Sequence, residues 1–252
     1  MALAYISHRD CLLHEMGQHH PERPSRLSAI SDRLIASGLD MALHHYDAPL
    51  VGREQLEAVH DAGFVEQIHA AVPADGLAWL DGDTAMNKHS LDAALRAAGA
   101  VVCGVDLVMQ GRANNVFCGV RPPGHHAEHD KAMGFCLFNN VVVGAYHALN
   151  RYGLERVAIV DFDVHHGNGT EDMVAGDQRV LFCSTFQHPF YPGTGTDCKA
   201  LNIVNTPLAA GAGSAIFREA VTQYWLPRLE SFAPELILVS AGFDAHQADE
   251  MG

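Results

Sequence analysis

Basic residues are scarce in this chain. Its 252 residues hold 16 lysine plus arginine against 30 aspartate plus glutamate, a formal charge of -14. A surface that grips phosphates needs a basic stripe, so direct nucleic-acid binding is excluded. Long apolar runs are missing too: none approaches the roughly 20 residues that a membrane-spanning helix requires. The N-terminal MALAYISHRDCLLHEMG meets Arg9 and Asp10 before a signal-peptide core can form. The six cysteines include no C-x-x-C pair, and four lie in apolar runs such as VVCGV and VLFCS. They read as buried free thiols of a reducing compartment rather than a disulfide framework, and the expected location is cytoplasmic. There is no internal repeat, no low-complexity linker, no Rossmann glycine fingerprint and no phosphate loop, so a nucleotide cofactor is not expected.

What the chain does have is 48% hydrophobic residues and 17 histidines. The first describes a globular chain long enough to bury a full core. The second directs attention to metal ligands and proton carriers. Short apolar runs alternate with helical patterns. Strands are expected at LAYIS near residue 5 and at 115–120, 156–163, 179–185, 201–204 and 235–242. Three of these are continuous Val/Ile/Leu-rich runs, as in strands covered on both faces. Helices are expected at 21–38, at 90–110 opening on Ser90, at 139–152 opening on Asn139 or Asn140, and at 214–232 with a kink at Pro227. This alternation predicts an α/β fold, a mainly parallel sheet with helices on both faces. Right-handed crossovers then gather the C-terminal strand ends on one edge, where such sheets bind ligands.

The polar motifs fall at those ends: RPPGHHAEH (121–129), DFDVHHGNGTED (161–172), FQHPFYPGTGT (186–196) and AGFDAH (241–246). Strand alternation sends Asp161, Asp163 and His165 to one side, a metal-site pattern that Asp244 can complete. Two carboxylates and one imidazole leave an open position, as a catalytic zinc site requires. The same carboxylates also suit capping of the following helix. His125-His126 follows a Pro-Pro-Gly turn that fixes the backbone at the rim, and imidazole is the usual general base. Hydrogen bonding to a buried carbonyl is the plainer role for either ring. The pairs His19-His20 and His44-His45 read as surface or loop histidines. Phe135, Phe190 and Tyr191 offer aromatic walls for a slot that takes an alkyl chain.

In this order, HPERPSRL, LDGDTAMN, RPPGHHA, GFCLFNN, DFDVHHGNGT, PFYPGTGT and SAGFDAH resemble the histone deacetylase superfamily, with its three-layer arginase-deacetylase fold. HPERP, LDGDT and SAGFDAH resemble its class II and bacterial amidohydrolase branch, which also contains acetylpolyamine deacetylases. The resemblance implies a single deacetylase domain over residues 1–252 and makes Asp163, His165 and Asp244 the zinc ligands, a set that also admits Fe(II) or Co(II) in a cell. It makes His125 and His126 the tandem catalytic histidines, His126 being the general base. Asp161 is then the partner of His125, and Asn168 stands where His126 finds its own. Phe135 and Tyr191 become walls of the acyl-lysine tunnel, Gly134 a backbone contact there, and Met251 a residue of its mouth. Arg26 is placed at an internal acetate channel. A structural potassium ion is implied, held by Asp161, the backbone oxygens of Asp163 and His165, and Ser184.

The implied reaction is hydrolysis of the acyl amide of an acetyl-lysine or a related acylated amine, releasing acetate and a free amine. Relatives supply a second oxyanion donor, a tyrosine in a GGY segment well downstream of SAGFDAH. This sequence stops at Gly252, and a domain short at its C-terminus is expected to expose sheet and helix surfaces. Three further readings stay open on the sequence: an acyl-lysine or metal-binding module without turnover, an acetylpolyamine deacetylase, and a dimanganese ureohydrolase. The last needs more carboxylates than D-x-D-x-H plus one Asp provides.

Overall fold

Two parallel sheets carry the fold in a computed structural model that describes residues 3–251. The chain divides into two compact units, Met1–His147 and Ala148–Gly252. Among the described residues no helix is long and apolar enough to cross a membrane.

In the first unit the strands are β1 (Leu3–Ser7), β2 (Leu43–Asp47), the short β3 (Ala78–Trp79) and β4 (Ala85–Met86), and β5 (Asn115–Cys118). The helices are α1 (Ser25–Ala36), α2 (Arg53–Glu57), α3 (Ala62–Ala70) and α4 (Ser90–Met109). Its sheet runs β2-β1-β5, all parallel, while β3 and β4 form a small antiparallel hairpin. Ala4 and Ile6 of β1 pack with Ala100 and Leu107 of α4 in the core of this unit. Gly104 lets that helix approach Val116 of β5 closely, where any side chain would crowd the valine. His44 and His45 are exposed, as expected of surface histidines, and lie on β2, an edge strand without an apolar run to announce it. One detail differs from expectation. Ser90 is the first helical residue rather than the cap, and its hydroxyl accepts the Asn87 N–H at 2.8 Å instead.

Helix α5 (Asn140–Tyr152) contains the boundary between the units. Asn139 caps it: its side-chain oxygen accepts the Val142 N–H at 3.2 Å.

The second unit holds β6 (Val157–Asp161), β7 (Val180–Gln187), β8 (Ile203–Leu208) and β9 (Leu236–Ser240), ordered β8-β7-β6-β9 and all parallel. Its helices are α6 (Asn168–Val174), α7 (Ser214–Ala220) and α8 (Leu226–Phe232). Trp225 packs with Ala158, Leu181 and Cys183, and with Val221, Leu229 and Phe232 around them. Only the central strands are covered as their sequences predict. On the edge strand β9, Ile237 and Val239 are 51% and 50% exposed. They stand beside Ala158 and Val160, on the face that the helical segment covers over β6 but not over β9. The expected helix over 214–232 is continuous, yet it holds a π turn at Val221–Trp225 rather than a sharp kink. Pro227 lacks the N–H of a regular helix, and the wider turn before it absorbs the mismatch. Strand β8 starts later than expected, because Asn202 is tied into a turn by its own side chain. Its amide nitrogen lies 2.7 Å from the Val174 oxygen and 2.9 Å from that of Val180. Pro207 is tolerated because β8 is an edge.

Candidate active site

Each sheet brings its chemistry to its C-terminal edge. In the second unit three strand ends contribute. The segment after β6 supplies Asp163 and His165, that after β9 supplies Asp244, and that after β7 supplies Phe190 and Tyr191. One ligand atom from each of Asp163, His165 and Asp244 lies within 4.8 Å of the others. His165 Nδ1 is 3.0 Å from Asp163 Oδ1 and 3.1 Å from Asp244 Oδ2. The backbone braces both carboxylates: His165 N–H donates to Asp163 Oδ1 at 2.8 Å, and Val164 N–H donates to Asp244 Oδ1 at 2.9 Å. Gly242 is required here, because a Cβ would run into the Asp163 carboxylate. Burial pulls the His165 pKa down, but the hydrogen bonds and charges of Asp163 and Asp244 outweigh it and raise it to about 9. The two carboxylates thus favour positive charge at this cluster. Its donor set, two carboxylates and an imidazole, fits a zinc-type divalent cation.

Phe190 stacks on the His165 ring at 5.2 Å and 14°, and Tyr191 meets it edge-on at 5.9 Å. Asp161 is fully buried behind the cluster and accepts the Asp163 N–H at 3.1 Å. Ser184 lies opposite Asp161 in the β6–β7 register. Its hydroxyl is buried without a hydrogen-bond partner among the described residues. A buried carboxylate beside an orphaned hydroxyl oxygen suits a monovalent cation. Asn168 is buried at the first position of α6, and its N–H donates to the His166 carbonyl at 2.9 Å. Met251 is half-buried, and its N–H donates to Asp249 Oδ1 at 3.0 Å.

In the first unit, His125 and His126 are both buried, their ring centroids 4.0 Å apart. Gly134, at φ 56°, presses its backbone against the His126 ring, where a Cβ would collide. Phe135 is half-buried. Its N–H donates to Thr84 Oγ1 at 3.0 Å, and its ring meets the His20 ring edge-on at 4.5 Å.

Arg26 is not interior as an acetate-channel residue would be: its side chain is 54% exposed and reaches back to Glu22 at 3.3 Å. The interior guanidinium is that of Arg121, 1% exposed. It donates to both Glu22 oxygens at 2.5 Å and to the carbonyls of Cys11 and His14 at 2.6 and 3.0 Å. That anchors the segment leading into Pro-Pro-Gly-His-His. His60 anchors its far side: Nε2 accepts the Asn139 N–H at 3.0 Å, so Nδ1–H donates to the Glu128 carbonyl at 3.1 Å. Sequence reasoning missed Arg121, Glu22 and His60. The one available signal was an arginine directly before a rigid Pro-Pro turn.

A histone deacetylase domain model matches residues 20–252. The chain belongs to the histone deacetylase family. The Synechocystis protein slr0245 is 41% identical over 99% of this chain and 83% of its own length. The histone deacetylase-like amidohydrolase of Pseudomonas aeruginosa is 36% identical over 96% of this chain and 70% of its own. The crystal structure of the HDA15 HD domain superposes with a TM-score of 0.94 at 35% identity, covering all of this chain and 74% of that one. This histone deacetylase-family chain is therefore an α/β protein of a hydrolase family whose namesake reaction is deacetylation.

The buried imidazoles of this family member predict a pH-dependent stability. Burial pushes both His14 and His60 from 6.5 down to about 4. Glu22 pulls His14 partly back up, whereas Arg121 and His20 lower it further; the carbonyls of His129 and Glu128 partly restore His60. Both folded values lie below the unfolded one, so each ring stabilises the fold fully above pH 6.5. That contribution declines as pH falls and is gone below about 4, with about 2 kcal/mol per histidine lost by pH 5. Urea midpoints measured at pH 7.5 and pH 5 should show this drop, and a His60→Gln variant should show a shallower one. An identical slope in that variant would contradict the assignment.

Proposed function

We propose that residues 1–252 work as one deacetylase domain that hydrolyses the acyl amide of an acetyl-lysine or a related acylated amine, with zinc held by Asp163, His165 and Asp244. The observation that carries this reading is the convergence of those three ligand atoms within 4.8 Å at the strand ends. Family membership supports it. Bound there, zinc polarises the amide carbonyl and lowers the pKa of a water molecule. The remaining work belongs to the chain's own side chains. His126 takes the proton of the attacking water, and His125 acts as its electrostatic partner or as the acid that protonates the departing amine. The family resemblance gives Asp161 and Asn168 the orienting roles for that pair. The family resemblance assigns Gly134, Phe135 and Tyr191 to the channel for the acyl-lysine stem, where aromatic faces would desolvate it. Fe(II) fits the same ligands. A potassium ion against Asp161 and the orphaned Ser184 hydroxyl would neutralise the buried carboxylate beneath the site.

Met251 supports an acyl-lysine over a polyamine, because polyamine-specific relatives carry glutamate in the corresponding place. The test is acetate release from an acetyl-lysine peptide and from acetylspermidine by the zinc-loaded chain, compared with a His126→Ala variant. The peptide should be preferred, and the variant should lose about 10²- to 10⁴-fold in kcat while keeping its zinc, as removal of a general base does. Equal rates for wild type and variant would refute the role of His126. A chain that binds the peptide but releases no acetate is a reader of acyl-lysine, not a deacetylase.

A further inference from the structure

His165 and His166 are neighbours, but their side chains serve different partners. His165 turns to the carboxylate pair, whereas His166 is 1% exposed and faces the loop that follows β7. Its Nε2 lies 3.1 Å from Glu171 Oε2, and its Nδ1 lies 2.9 Å from Thr194 Oγ1. Glu171 also receives the Asn205 amide, and the same amide nitrogen donates to the Gly195 carbonyl at 2.8 Å. Burial alone would raise the Glu171 pKa, but these hydrogen bonds from His166 and Asn205 hold it below the usual value. A carboxylate oxygen accepts, so His166 Nε2–H donates to Glu171, while its Nδ1 pairs with the Thr194 hydroxyl. Gly195, at φ 95°, fits against the rings of His166 and Phe186 with no room for a Cβ. The loop so fixed is the one that lays Phe190 flat on His165 and sets Tyr191 edge-on to it.

We propose that His166, Glu171 and Thr194 are positioning residues that clamp the 188–196 loop and so fix the Phe190–Tyr191 wall of the substrate channel. The proposal rests on the reading of that loop as a channel wall. None of the three needs to touch substrate or metal. Each holds its neighbour, and the chain of contacts ends on the aromatic pair.

Thr194 is exposed, so its substitution tests the clamp without threatening the fold. Thr194→Val removes the hydroxyl at nearly constant shape and breaks its hydrogen bond to His166 Nδ1, whereas Thr194→Ser restores it. Three quantities are compared: amide hydrogen exchange over 188–196, zinc content, and anisotropy of a fluorescein-labelled acetyl-lysine peptide, followed by kcat and KM. In Thr194→Val the loop should exchange about tenfold faster and the peptide should bind about tenfold more weakly, the scale of one lost hydrogen bond to a buried partner. KM should rise with the dissociation constant while kcat stays within about threefold. Zinc content should not change, and Thr194→Ser should recover both exchange and binding. Unchanged exchange overturns the clamp, and faster exchange with unchanged peptide affinity overturns its role in shaping the channel. A wild-type chain that binds the peptide without cleaving it defeats the catalytic reading alone. A chain that does neither defeats the functional reading entirely, and with it the channel role, while exchange still decides the clamp.

Discussion

Asp163→Ala should lower kcat/KM on an acetyl-lysine peptide by more than about 10³-fold and should leave the chain without stoichiometric zinc. Metal-assisted polarisation contributes several kcal/mol to such a reaction, and each 1.36 kcal/mol is tenfold in rate. The loss is large because Asp163 has two tasks. One of its oxygens accepts both the His165 N–H and the His165 ring, at 2.8 and 3.0 Å. Truncation removes one ligand and releases another. The fold should survive, since the Asp163 side chain is 16% exposed and lies in the segment after β6 rather than in the core. Kinetics, zinc analysis and a thermal melt on one preparation check all three statements. Near-normal turnover with zinc absent would mean that the cluster is not the reaction centre.

Arg121→Met should cost about 3–5 kcal/mol, because it strands the Glu22 carboxylate in the interior. For a chain of this size that corresponds to a fall of about 10 °C in Tm. The reason is geometric. Glu22 is 2% exposed and takes both arms of the guanidinium, while the Arg26 contribution comes from a side chain that is mostly in water. A second substitution, Glu22→Gln, in the Arg121→Met background should recover part of the loss by removing the unpaired charge. No recovery would place the cost in the Cys11 and His14 carbonyl contacts instead.

The convergence of Asp163, His165 and Asp244 was within reach of the sequence, because strand ends deliver such side chains in a known place. Spacing offered Asp161, Asp163 and His165 with Asp244 to complete them, and the family resemblance singled out the three that cluster. The clamp on the 188–196 loop was out of reach. Thr194 and Glu171 are common residues whose meaning arises only when the chain folds back on His166. Arg121 was hidden by a sound generalisation, since a lone arginine belongs at the surface unless a partner is buried with it. Its partner Glu22 lies 99 residues away in the chain. The sheets were legible where apolar runs mark buried strands, as in β6 and β7. They were not at β2, whose Leu-His-His-Tyr-Asp pairs through its backbone while both histidines face solvent. Strand β9 has the sequence of a fully covered strand but, among the described residues, only one strand neighbour, β6.

Zinc titration of the metal-free chain, with acetate release from an acetyl-lysine peptide as the readout, addresses the Asp163–His165–Asp244 centre most directly. Acetate release should rise in proportion to added zinc, reach its plateau at one equivalent per chain, and be absent throughout the same titration of Asp244→Asn. A folded chain that holds one zinc and releases no acetate, or one whose activity ignores zinc, would contradict the assignment of this cluster as the centre of a deacetylase.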